Sequence, residues 1–220
     1  CETLLAQADG AADIIRKAGD GVLPKDAVRD IAAAVMPLFS KMESSGRRVL
    51  KKSDPFDDED FLLDDDGDDV PLKDGSADKD KELAETTMQS VRISLASILG
   101  AMMRTNPGDF LEVAFVPYME GACNFIRSAK KEDKVLGLRL ASDAVDCLGE
   151  HTVRYWDKCM NDALQLIPDA SAAVRRYAAS VVGNGARQPA FTASKAATAS
   201  LQQLHKVLRR RVSKKAESGL

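Results

Sequence analysis

Aromatic residues make up only 5% of this 220-residue chain, and histidine occurs twice. With few Tyr, Phe and Trp and few β-branched runs there is little material for strands, whereas Ala, Leu, Met, Lys and Glu recur at three- and four-residue spacings. An all-α fold is expected. His151 and His205 lie far apart in no recognisable motif, and catalysis needs a convergent nucleophile, base and orienting group, so no enzyme is expected. Gly183-Asn184-Gly185 is followed by no Lys-Ser/Thr pair and suits a helix end better than a phosphate loop. No apolar run approaches the roughly 20 residues that span a bilayer, and no signal-peptide pattern opens the chain, so a soluble protein with no membrane partner is expected. Cys1, Cys123, Cys147 and Cys159 form no CxxC pair. The last three lie in apolar helical stretches where a free thiol packs as a small hydrophobe, which points to a reducing compartment. The opening on Cys1, directly inside a helical pattern, reads as a piece of a longer polypeptide.

The chain is 45% hydrophobic and 30% charged, enough apolar material for a packed core. Helical periodicity runs over residues 2–18, closed by Gly19 and Gly21, and over about 24–50, where Pro37 predicts a kink. It resumes over about 81–103 and is broken by Asn106-Pro107-Gly108. Shorter connections then separate candidate helices at about 109–128, 133–148, 151–167 and 171–186, with a last one at about 192–211 and a disordered tail at 212–220.

Net charge is −3, but this average hides two opposite local fields. Ten of the sixteen residues from Asp54 to Asp69 are acidic, so residues 53–78 read as a disordered insertion in the helical chain. Tested as a calcium loop with Gly67 sixth, the run puts Leu62 first and Lys73 twelfth, where carboxylates are required, so no metal is expected. Asp57, Asp58, Glu59, Asp60, Asp64, Asp65 and Asp66, with Phe61 as an apolar anchor, suit a lysine-rich partner; the plainer alternative is a solvated insertion. The basic residues Lys206, Arg209, Arg210, Arg211, Lys214 and Lys215 have no interleaved aromatics and sit at a helix end, where cations oppose the dipole. Nucleic acid is not expected as a partner.

Residues 109–149 and 151–187 each comprise a long amphipathic helix, a turn carrying Asp133 or Asp169, and a shorter helix rich in Ala, Val and Leu. Unit lengths near 40 are those of helix-pair repeats whose apolar faces only a neighbouring pair can bury. The run Pro168-Asp169-Ala170-Ser171-Ala172-Ala173-Val174-Arg175-Arg176 resembles the turn and second helix of a HEAT repeat, and Phe110 to Gly149 looks like a complete unit. Together with the acidic insertion and the Tyr155-Trp156 helix, these segments resemble the importin-β family, most closely the C-terminal half of the branch called importin subunit five. The resemblance covers nearly the whole chain, although Leu138-Arg139 stands where the motif has Val-Arg.

That resemblance implies a HEAT-repeat α-solenoid of about four stacked hairpins, forming one segment over residues 1–220. It implies a nuclear import receptor that shuttles between cytoplasm and nucleus without a cofactor. Its partners would be basic cargo such as ribosomal proteins and histones, the GTPase Ran, and nucleoporins. A HEAT scaffold for a signalling or phosphatase assembly is the alternative. Arg139, Asp143, Asp146 and Glu150 step by four, three and four residues, forming a polar stripe opposite Leu136, Leu140, Ala144 and Leu148. They are the groove-facing candidates, and the ordinary alternative is a solvated helix face with an Arg139–Asp143 pair.

Overall fold

The computed structural model describes residues 2–48 and 76–217, and among these every regular element is helical. The all-α expectation therefore holds. Helix α1 spans Glu2–Ala18, α2 Lys25–Arg48, α3 Ser76–Thr105, α4 Pro107–Val113, α5 Phe115–Ile126 and α6 Lys131–Leu148. A 3₁₀ segment, Gly149–Tyr155, leads into a π-helical turn, Trp156–Met160, and then α7, Asn161–Leu166. Helix α8 spans Ala172–Ala186, a 3₁₀ turn covers Pro189–Phe191, and α9 spans Lys195–Glu217.

Several boundaries differ from the sequence reading for identifiable reasons. The single helix expected at 109–128 is interrupted at Ala114, whose φ of −129° leaves the helical region. Pro117 lies three residues on, and its ring opposes the carbonyl four residues back, at Val113. The i→i−4 bonds nevertheless continue through the break, from Ala114 to Phe110 and from Tyr118 to Ala114. The helix expected at 151–167 is instead a succession of 3₁₀, π and α turns. At its start Gly149 takes φ +52°, a conformation that side chains resist. Helix α3 begins inside the stretch read as an insertion, and α9 runs to Glu217, six residues into the stretch read as a tail. Pro37 lies within α2.

Alternate elements pack on each other. Helices α1, α3, α6 and α8 form one succession of neighbours, while α2 packs on α4, α5 on the π-turn, and α7 on α9. The pairs α2/α3, α5/α6 and α7/α8 connect the two layers. Each helix buries one face between them. Phe39, Leu99, Met102, Met103, Phe110, Phe115, Tyr118, Leu136, Leu138 and Leu140 are fully buried, and the apolar side of the predicted α6 stripe, with Ala144 and Leu148, lies in this core. Tyr118 satisfies its buried hydroxyl by donating to the Leu140 carbonyl at 3.0 Å, and burial pushes its pKa well up.

Helices α5 and α6 approach closely at Gly137. A methyl on Gly137 would meet the Ile126 nitrogen at 2.5 Å, the Ala122 carbonyl oxygen at 2.7 Å and Phe125 Cβ at 2.8 Å. Cys123 of α5 and Cys159 of the π-turn are joined by a disulfide, with Cα atoms 5.4 Å apart. This corrects the expectation of free thiols for that pair, and Cys147 alone is free among the described cysteines. The two half-cystines lie on elements of the same layer, 36 residues apart, a proximity set by stacking. A reducing compartment is therefore no longer indicated by the cysteines.

Candidate interaction face

Helices α3, α6 and α8 are linked by polar side chains that cross from each helix to the next. Between α3 and α6, Gln89 Nε2 donates to the Glu132 carbonyl at 3.2 Å and Arg139 Nη2 to Ser97 Oγ at 2.9 Å. Farther along, Arg104 Nε donates to Cys147 Sγ and its Nη2 to Asp146 Oδ2, both at 3.4 Å. Between α6 and the end of α8, Asn184 Nδ2 donates to the Ser142 carbonyl at 3.2 Å and to Ser142 Oγ at 3.1 Å. Gln188 Nε2 donates to the Val145 carbonyl at 3.3 Å. These bonds share a spacing. In both joints these partners are 42 or 43 residues apart, while the Ser142–Ser180 hydroxyl contact is at 38 and the Arg92–Asp133 and Asp146–Arg187 charge contacts are at 41.

Three of the four stripe residues join this array. Arg139 lies 4.0 Å from Asp143, the i,i+4 pair anticipated by the spacing, and the Asp143 carboxylate closes to 3.4 Å of where a Cβ on Gly100 would be. Burial raises the Asp143 pKa, against the opposing pull of Arg139 and Arg104. Asp146 is shared between Arg104 at 3.4 Å and Arg187 at 3.8 Å, all three partly open to solvent. Burial also raises the Cys147 thiol, with the Arg104 hydrogen bond opposing. Glu150 falls outside the array, exposed in the 3₁₀ segment.

Beneath this array is a buried charge contact. Arg92 Nη1 of α3 lies 2.7 Å from Asp133 Oδ1 in the first turn of α6, and both side chains are almost wholly enclosed. Ser128 Oγ donates to Asp133 Oδ2 at 2.8 Å, and the Arg92 guanidinium covers the Phe125 ring. Asp133 Oδ1, Arg92 Nε and Nη2, and Gln89 Oε1 are buried without hydrogen-bond partners. One pair-length later, Lys134 lies 3.7 Å from Asp169. Asp169 Oδ1 accepts from the Ser171 amide, Ser171 Oγ caps α8 by accepting from the Val174 amide, and Arg175 Nη1 donates to the Asp169 and Ala170 carbonyls. Arg175 thus braces the turn through its backbone rather than through the Asp169 carboxylate.

The acidic candidates Asp57, Asp58, Glu59, Asp60, Phe61, Asp64, Asp65 and Asp66 lie outside the described residues. His151 and His205 are exposed on separate elements, and Lys206 and Arg209 are exposed on α9. Among the described residues no three His, Cys, Asp or Glu side chains converge as metal ligands would, and no helix is long and apolar enough to cross a membrane. Sequence reasoning missed Arg104 and Arg187, because their partners are on neighbouring helices and leave no i,i+4 signature. In comparisons with known proteins, no family model and no curated sequence matches this chain.

Proposed function

We propose that this chain is a stretch of HEAT-type α-solenoid that binds partner proteins along the α3–α6–α8 face, as part of a nuclear import receptor of the importin-β kind. The observation that carries the reading is the repeated 42–43 residue spacing of the bonds across two successive joints. Equal displacements at equal sequence intervals are what a stack of similar helix pairs produces, each burying its neighbour's apolar face. The partly open Arg104, Asp146 and Arg187 supply charges of both signs on that face, suited to a protein surface. On this reading the work of the face is reversible recognition. Basic cargo, Ran and nucleoporins are the proposed partners, and shuttling between cytoplasm and nucleus follows from that role. A constitutive HEAT scaffold uses the same face and is the second reading.

The deciding experiment measures binding of the 220-residue chain to a lysine-rich histone-tail or ribosomal-protein cargo, with and without Ran loaded with GTP. It is repeated with Asp146→Lys and with residues 54–69 deleted. Cargo release by Ran-GTP supports the receptor, and loss of affinity on either change assigns the corresponding residues. Binding indifferent to Ran's nucleotide supports the scaffold, and no binding to either ligand overturns the receptor reading for this segment.

A further inference from the structure

The two layers are joined differently between the α5/α6 pair and the pair that follows. Helix α6 lies along α8 over a broad contact, whereas α5 meets the following element in a narrow one, at the π-turn. The Cys123–Cys159 disulfide sits in that narrow contact. Both residues are 4% exposed. A π-turn carries one more residue per hydrogen-bonded ring than an α-turn, and this one presents Cys159 and Met160, consecutive in sequence, to the core together. Trp156 at its start is fixed by donating Nε1–H to Thr152 Oγ1 at 3.0 Å and by edge contact with Phe191.

We propose that Cys123 and Cys159 form a redox-operated staple between successive helix pairs. As a disulfide it holds the π-turn against α5; as a dithiol it leaves the narrow side of the joint to packing alone. The Cα separation of 5.4 Å is within the range that disulfides span. Closure requires an oxidant, and a small disulfide such as oxidised glutathione supplies it. One cysteine thiolate attacks a glutathione sulfur, forming a mixed disulfide and expelling one glutathione thiolate. The second cysteine thiolate attacks the protein sulfur of that mixed disulfide, forming the staple and expelling the second. The two cysteines lose two electrons and two protons; the electrons reduce glutathione disulfide, and the protons end on two glutathione thiols. Enclosure of both sulfurs makes exchange depend on opening of the joint, so reduction of the folded chain is slow.

The test equilibrates the unmodified chain in glutathione buffers of stepped ratio, blocks thiols under denaturing conditions and maps the labelled peptides by mass. Cys123 and Cys159 are expected to be protected together in oxidising buffer and labelled together in reducing buffer, with Cys147 labelled in both. Reduction is expected to raise amide hydrogen exchange over residues 149–166 at least about tenfold and to lower the melting midpoint by about 8–15 °C. The Cys123→Ser/Cys159→Ser variant should match the reduced chain and ignore the buffer. Labelling of both cysteines in oxidising buffer overturns the proposal, as does exchange over 149–166 that is equal in the two redox states. Both of those results come from the unmodified chain, whether or not the variant folds.

Discussion

Adding one methyl group to α6 should unfold the chain more readily, although the same change in α8 should strengthen it. Gly137→Ala gains about 1 kcal/mol of helix propensity. Against that, the new Cβ would meet two backbone atoms and a Cβ of α5 at 2.5–2.8 Å, distances that flexible side-chain ends cannot relieve. Restoring ordinary contact of about 3.5 Å displaces α5 from α6 by the better part of an ångström, loosening the Tyr118–Leu140 bond and the packing of Ala122 and Ile126. Overpacking of this kind costs about 1–3 kcal/mol and more when backbone must move, leaving a net loss of about 2 kcal/mol. With a urea slope of about 2 kcal/mol/M, the midpoint falls by about 1 M. Gly183 lies exposed within α8 with nothing within 4 Å of an added methyl, so Gly183→Ala keeps the propensity gain and raises the midpoint by about 0.3–0.5 M. Urea titrations followed by far-ultraviolet circular dichroism compare the two variants directly. A Gly137→Ala midpoint at or above that of the parent, with an unchanged slope, would refute the packing argument.

Other outcomes follow from the charge and hydrogen-bond geometry. Arg92→Met strands Asp133 in the core and should destabilise by about 3–5 kcal/mol in urea titration, while Arg92→Met/Asp133→Leu should recover most of the loss; a double variant whose loss equals the sum of the losses of Arg92→Met and Asp133→Leu would show that the pair is not coupled. Because burial raises the Asp143 pKa in the folded chain, its protonated form is favoured by folding, and its stability contribution is lost as pH rises through that pKa. Asp143→Asn should therefore flatten the stability profile just above the ordinary carboxylate range and be at least as stable as the parent at pH 7, read from melting midpoints at stepped pH. Thr152 accepts from Trp156 and donates to the Gly149 carbonyl at 2.6 Å, so Thr152→Val should cost about 1–3 kcal/mol and alter the emission of the single tryptophan before global unfolding.

What could be read from the amino acids alone depended on whether the cause was local. Helices α1, α2, α6 and α8 follow from apolar spacing and from stop signals such as Gly19 and Gly21, and the Arg139–Asp143 pair follows from a four-residue step. The succession of turns over 149–166 did not, since apolar periodicity cannot register the extra residue that a π-turn absorbs. The break at Ala114 was not read from the sequence, although Pro117, whose ring opposes the Val113 carbonyl, lies three residues beyond it. Asp146 was found on its own helix, but Arg104 and Arg187 become its partners only once three helices are side by side. The cysteines were judged singly, while the informative fact was that Cys123 and Cys159, 36 residues apart, lie on elements that meet within one layer. The same interval separates Asp133 from Asp169 and Arg139 from Arg175.

The turns at one end of the first helices are fastened to each other. The Gly21 amide donates to the Thr105 carbonyl at 2.8 Å, Asn106 Nδ2 donates to the Leu23 carbonyl at 2.9 Å, and Lys25 pairs with Glu112. With α1 lying along α3 and α2 against α4, the first two helices are held to the rest by contacts that owe nothing to the peptide linkage between Arg48 and Ser76. A chain nicked by a protease anywhere in that linkage should therefore elute as one particle and separate only in denaturant. Two polypeptides expressed apart, one ending in α2 and the other beginning at α3, should find each other and reconstitute the fold. The linkage is correspondingly free to change in length and composition from one descendant to the next without disturbing the helices it joins.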